Sequence, residues 1–282
     1  MPLDIIPTGA AAGAEIRGVD LTNTLHDNAY QTLNQALGEH GVIFFRGQSL
    51  SPEQHMALTL RFGALEPNTF GETHGLEGHP GIVLISNVEQ GGREVGVKGA
   101  GDKWHSDMCY TAKPPRGTIL YAHEVPAQDG LALGDTCFAA THVAYDTLPK
   151  AMKARLDGVR ANFDFAGRKR LSPITQAQID AFPPVTHPIV RTHPLTGRKC
   201  LYVMRDDCTG IDEMDEDEAD QLIAALADHI VRPAFVYRHQ WQPGDLLIWD
   251  NCTVQHMAIQ DYALPNRRLM HRTTFAATEA PA

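Results

Sequence analysis

The residue types most able to do redox or hydrolytic chemistry converge on one short stretch, Trp104-His105-Ser106-Asp107, and a distant histidine, His256. On a β-strand, residues two apart point to the same face, so His105 and Asp107 can both reach one small cation. With His256 as a third ligand, two histidines and one carboxylate would occupy one side of a metal. The opposite positions would stay open, as non-haem iron(II) needs when it must also bind a cosubstrate and O₂. Alone, the spacing says little. With 14 histidines in the chain, roughly one His-x-Asp is expected by chance, typically at a half-exposed polar strand end.

A second set of residues lies near the end of the chain, where Arg268–Phe275 reads as a strand. Arg268, Met270, Arg272 and Thr274 share one face. The two arginines are separated by about 13 Å at ~3.3 Å per residue. If both point inward they need anionic partners, because a buried unpaired charge is costly. Those partners are either the chain's own Asp and Glu residues or a ligand carboxylate gripped bidentately.

The elements that must position these groups are short. A strand is expected over Ala14–Val19, a helix over about Asn28 to Glu39, and a buried strand at Val42–Phe45. Ser51-Pro52-Glu53-Gln54 reads as a helix start, with a serine cap, Pro at the first position and Gln three after the cap. Residues 66–81 and 90–102 read as long loops, candidate lids over the site. Strands are expected at Ile82–Ile85, Thr118–Tyr121 and from Gly134, followed by helices at about Thr141–Tyr145 and Lys150–Leu156. Pro188–Thr192 and Lys199–Val203 flank a Pro-Leu-Thr-Gly turn and read as a hairpin. Asp215 caps a helix whose buried stripe is Leu222, Ile223, Leu226 and Ile230. Phe235, Tyr237, His239 and Trp241 form one face of a strand, Leu246–Trp249 is a buried strand, and His256 follows a short loop. If the strand through Asp107 continues, Cys109 shares its face; otherwise Cys109 is a small core residue. Many short strands, without regular strand–helix alternation or repeats, favour a mainly β fold with flanking helices. That means a double-sheet, jelly-roll core in one domain spanning residues 1–282.

Composition narrows the partners. A net charge of −10 provides no global basic field for nucleic acid. No stretch approaches the ~20 apolar residues of a membrane helix. The opening Met-Pro-Leu-Asp-Ile-Ile has no basic region followed by an apolar run, so no secretory signal is expected. Five cysteines without a Cys-x-x-Cys pair fit free thiols in a reducing cytoplasm.

Several blocks together are far more specific than His-x-Asp. They are Gly18-Val19-Asp20-Leu21, Trp104 to Asp107, Gly134-Asp135-Thr136, His187 to Pro194, and Trp249 to Phe275 with His256, Asp261-Tyr262 and Asn266 to Arg272. In this order they resemble the taurine / 2,4-dichlorophenoxyacetate dioxygenase family over nearly the whole chain. The resemblance implies iron(II), 2-oxoglutarate and O₂ on a double-stranded β-helix core. It implies His105, Asp107 and His256 as iron ligands, and Arg268 and Thr136 as contacts to 2-oxoglutarate. Arg272 would contact the substrate's sulfonate or carboxylate. Asp107 counts against halogenation, since related iron halogenases lack this carboxylate. The implied substrate is a small organic anion: an alkyl sulfonate such as taurine, an alkyl sulfate, or an aryloxy or alkyl carboxylate. Hydroxylation beside sulfur or oxygen would give a product that falls apart. Asn68 aligns where the family's taurine enzyme has a substrate histidine, and Arg168 and Lys169 replace a small polar residue and an aromatic one. Both departures point from taurine to another organic anion. A homodimer or tetramer is the assembly the resemblance implies. Two other classes fit the same residues: a zinc hydrolase, for which no general base is evident, and a non-catalytic jelly-roll anion-binding or sensor protein.

Overall fold

A computed structural model describes residues 3–67, 74–167 and 174–282. In chain order they form β1 (Asp4–Pro7), β2 (Ala14–Arg17), α1 (Asp27–His40), β3 (Val42–Phe45), α2 (Pro52–Phe62), β4 (Gly75–Leu76), β5 (His79–Ser86), β6 (Glu89–Gln90) and β7 (Arg93–Glu94). Next come β8 (Gly117–Glu124), β9 (Ala127–Gln128), β10 (Leu131–Ala132), β11 (Thr136–Ala140), α3 (Thr141–Asp146), α4 (Lys150–Arg155), β12 (Arg160–Phe163) and α5 (Gln176–Ala181). The remainder is β13 (Val185–Pro188), β14 (Val190–Thr192), β15 (Lys199–Leu201), β16 (Cys208–Ile211), α6 (Glu216–Ile230), β17 (Val236–His239), β18 (Leu246–Asp250), β19 (Val254–Ala258) and β20 (Leu269–Phe275). Strand residues outnumber helical ones, as the sequence pattern leads one to expect.

Among the described residues the largest sheet has the order β1-β2-β3-β18-β8-β20-β5-β4. A smaller sheet, β17-β11-β19, faces it. The period-two alternation of the strands sorts side chains between two cores. Val42 and Phe44, Leu120 and Ala122, Leu247 and Trp249, and Met270 pack with Phe138, Ala140, Tyr237, Trp241 and Val254 between the sheets. Their alternates Ile43, Phe45, Ile119, Tyr121, Leu246, Ile248 and Phe275 pack against Leu33 and Leu37 of α1 and Leu58 and Phe62 of α2. Phe138 is fully buried at the centre of the inner layer; its truncation to alanine costs about 3–5 kcal/mol. A third core beneath α6 gathers Leu222, Ile223, Leu226 and Ile230 with Phe163, Ile189 and Leu201.

The local signals hold where they are strong. Ser51 and Gln54 form a reciprocal capping box at the start of α2, and Asp215 accepts from the Glu218 amide at the start of α6. The hairpin β14–β15 is present, pairing Val190 with Leu201. Corrections fall where a segment's state depends on a distant partner. Residues 66–81 are not wholly loop: Gly75–Leu76 pairs with β5, which itself begins at His79. Within 90–102, Gln90 pairs with Arg93 and the chain returns to β5 through a bridge between Ile85 and Val97. The strand β12, between β13 and β16, and the helix α5 were not anticipated.

Candidate metal centre and anion pocket

The strand expected through His105 and Asp107 is not there. His105 makes a single antiparallel bridge, and the chain turns at Asp107. Cys109 lies in that turn and is buried in the core under α6, which is the small-core-residue alternative. After the short loop 251–253 that follows β18, His256 lies inside β19, whose register against β11 pairs it with Phe138. The bridge partner of His105 is His256 itself. Each amide donates to the other's carbonyl, at 3.1 and 2.9 Å. Directly opposed residues of an antiparallel pair project to the same side, so the two rings sit with centroids 4.1 Å apart. The turn after His105 then carries Asp107 back beneath them.

Nε2 of His105 and Nε2 of His256 each lie 3.7 Å from Asp107 Oδ1. All three ligand atoms fall within 4.8 Å of one another, close enough to hold a metal ion. The surroundings aim them inward. Nδ1 of His105 is 2.7 Å from the Lys103 carbonyl; a carbonyl only accepts, so Nδ1 carries the proton and the Nε2 lone pair faces Asp107. Gly101, at φ +77°, lies against this ring: a Cβ there would come 3.2 Å from His105 Cε1. Burial opposes ionisation of Asp107, but the Arg272 guanidinium and the Thr118 hydroxyl outweigh it and hold the carboxyl well below its ordinary range. Burial pushes His256 well below the ordinary imidazole value, so its ring is neutral. An ionised carboxylate and imidazole lone pairs converging on one point are the donor set a divalent transition metal takes.

The two arginines of the last strand have different partners. Arg272 Nη2 donates to Asp107 Oδ1 at 2.8 Å. Arg268 is 3% exposed, and among the described residues no ion pair joins it to a carboxylate. Its Nε is buried without a hydrogen-bond partner there, and its guanidinium carbon sits 5.6 Å from the Tyr262 ring centre. Burial pulls its pKa down, with Tyr262 acting in the opposite sense. Such a cation is costly to keep dry unless an anion joins it. The pocket around it is closely fitted: at Gly134, φ +74°, a Cβ would meet the Tyr262 ring at 2.9 Å and Arg268 Nε at 3.2 Å. Two residues on, Thr136 Oγ1 accepts from Trp241 Nε1 at 3.0 Å, which leaves its own O–H to donate.

Two supporting residues were missed in the sequence. Thr118 Oγ1 donates to Asp107 Oδ2 at 2.7 Å. The Asn251 amide oxygen accepts from the Asp107 amide at 3.4 Å and from Trp249 Nε1 at 3.2 Å. The available signal was Thr118 itself, a polar residue on the same face as the apolar Leu120 and Ala122. Asn68 and Arg168 lie outside the described residues.

Residues 4–274 match the profile of the family described as taurine catabolism dioxygenase TauD, TfdA family. This chain belongs to the TauD, TfdA family. It is 33% identical, over 94% of its length and 93% of the relative's, to the alpha-ketoglutarate-dependent 2,4-dichlorophenoxyacetate dioxygenase of Cupriavidus pinatubonensis (strain JMP 134 / LMG 1197). It is 31% identical, over 98% and 90%, to the alpha-ketoglutarate-dependent sulfate ester dioxygenase of Pseudomonas putida. Among solved structures, AAD-2 in complex with Mn(II) and N-oxalylglycine superposes with a TM-score of 0.84 at 28% identity, covering 100% of both chains. The TauD, TfdA family assignment makes the chain a dioxygenase. Among the described residues no helix is long and apolar enough to cross a membrane.

Proposed function

We propose that this chain is an iron(II)- and 2-oxoglutarate-dependent dioxygenase that hydroxylates a small organic anion. Its substrate classes are alkyl sulfonates, alkyl sulfates and aryloxy or alkyl carboxylates. The observation that carries the reading is the guanidinium of Arg268, buried and, among the described residues, without an ion-paired acid, in the same inter-sheet layer as the His105–Asp107–His256 cluster. An oxidase needing only metal and O₂ has no use for that cation, whereas a dicarboxylate cosubstrate has.

His105, Asp107 and His256 would hold the iron. When bound, iron supplies activation of O₂ coupled to decarboxylation of 2-oxoglutarate, and succinate leaves. The protein's own work is orientation. Arg268 grips the far carboxylate of 2-oxoglutarate bidentately, and the Thr136 hydroxyl donates to the same molecule. Arg272, at the other end of the inward face, receives the substrate anion beside Asp107. Phe138 and Trp249 wall the site with apolar surface, so these charge interactions act away from bulk water. Asn68 and Arg168 are assigned to the substrate side on sequence grounds. We read the two facing sheets as a double-stranded β-helix in one domain over residues 1–282. The five free cysteines suit a reducing cytoplasm, and a homodimer or tetramer is the expected assembly.

The test is aerobic succinate release from 2-oxoglutarate with Fe(II). The panel is taurine, alkyl sulfonates, alkyl sulfates and phenoxyalkanoates, and His256→Ala is the control. Substrate-stimulated succinate that disappears in the control supports the reading and ranks the substrates. Full iron occupancy without succinate from any member defeats it, and leaves the anion-binding protein.

A further inference from the structure

Asp107 has two oxygens with different neighbours. Oδ1 faces both histidine Nε2 atoms at 3.7 Å and takes the Arg272 hydrogen bond at 2.8 Å. Oδ2 accepts from Thr118 Oγ1 at 2.7 Å. Thr118 is completely buried. It lies on β8 between two strands, opposite Trp249 of β18 and Thr274 of β20. Its oxygen is 3.5 Å from Thr274 Oγ1, a hydroxyl able to complete its lone pairs. Ladders hold β8 on both sides at this point.

We propose that Thr118 is a positioning residue that confines Asp107 to binding the metal through one oxygen. This rests on the iron reading given above. A carboxylate on a divalent ion binds through one oxygen or both. A six-coordinate ion taking three protein atoms keeps three positions, and a two-oxygen carboxylate leaves two. A chelating 2-oxo acid fills two, so the position for O₂ exists only while Oδ2 is held elsewhere. The Thr118 hydroxyl holds it. Without that donor Oδ2 would be a buried, unsatisfied acceptor, and the cation beside it is the nearest remedy.

The experiment has two arms. The first is the structure of the full-length wild-type chain loaded with Mn(II). Ligation through Asp107 Oδ1 alone is expected; ligation through both oxygens, or through Oδ2, overturns the assignment. The second compares Thr118→Val, which keeps shape and removes the donor, with Thr118→Ser, which restores it. At matched iron loading, Thr118→Val is expected to lower kcat about 10–100-fold, with KM for 2-oxoglutarate unchanged and Asp107 bound to Mn(II) through both oxygens. Thr118→Ser is expected to recover both properties. A Thr118→Val enzyme with wild-type kcat and single-oxygen ligation overturns the proposal. Should Thr118→Val fail to fold, the wild-type Mn(II) structure decides alone. A wild-type chain that takes up no divalent metal defeats the iron reading as well, whereas two-oxygen ligation in a working enzyme defeats only the role of Thr118.

Discussion

His105, Asp107 and His256 form one group able to hold a metal by distance, and His193, Asp250 and Cys252 at the end of β18 form another. The two differ in where their protons sit. In the first, His105 directs its N–H outward to the Lys103 carbonyl and its lone pair inward. In the second, Nδ1 of His193 accepts from the Leu195 and Thr196 amides at 3.3 and 3.1 Å. Its proton therefore lies on Nε2, 3.1 Å from Asp250 Oδ2. That oxygen also faces Arg116 Nε at 3.3 Å, and Oδ1 accepts from the Cys252 amide at 2.8 Å. Burial, reinforced by Asp250, raises the Cys252 thiol far above its ordinary range, so it is not a thiolate. Closeness of ligand atoms thus does not make a metal site; unspent lone pairs do. The first group presents a donor set suited to a cation, and the second is a closed structural network.

The largest expected effect comes from breaking the first group. His256→Ala should cut substrate-stimulated succinate release on the order of 10³-fold or more and abolish tight metal uptake, measured by equilibrium dialysis. Breaking the second should act on stability instead. Asp250→Asn leaves Arg116 without its buried partner, at a cost of about 3–5 kcal/mol in urea unfolding, with metal stoichiometry held at one per chain. Lost metal uptake in that variant would erase the distinction between the groups.

Acid titration sharpens it. Burial resists ionisation of Asp250, but His193 and Arg116 prevail and lower its carboxyl to about 2. A depressed folded pKa contributes stability above the ordinary carboxylate range, lost as pH falls through about 2. Asp250→Asn should flatten that limb. A third histidine group, on the helix side of β8 and β20, has the opposite chemistry. His55 and His271 are each pushed down to about 3, by burial first and then by neighbouring histidines. Their rings stay neutral in the fold while the unfolded chain takes up protons below its ordinary imidazole pKa. Stability should therefore decline as pH falls from about 6.5 toward 3, by at most about 1.4 kcal/mol per pH unit for His55. His55→Gln should reduce that slope in urea midpoints measured between pH 7 and 5. The smallest effect is expected from Cys252→Ser, which should leave metal stoichiometry and kcat unchanged.

Much of this was legible before any fold was known. The helices α1, α2 and α6 follow from periodicity and caps, because a helix is written in residues three and four apart. The buried strands β3 and β18 follow from continuous apolar runs, and the inward Arg272 from the alternation of the last strand. The site residues were legible by type and by their order along the chain, but the strand expected to join His105 to Asp107 is a turn.

Residue order alone specifies the chemical groups, the local helices and the alternation that gives each strand an inner face. Only the folded chain sets His105 opposite His256, caps the second oxygen of Asp107 with Thr118, and leaves Arg268 without an ion-paired acid among the described residues while surrounding Asp250 with donors. The reason is physical. Hydrogen bonding along a helix is closed within one turn, whereas a ladder joins residues from distant parts of the chain. Its register is chosen by which pairing buries both apolar faces at once.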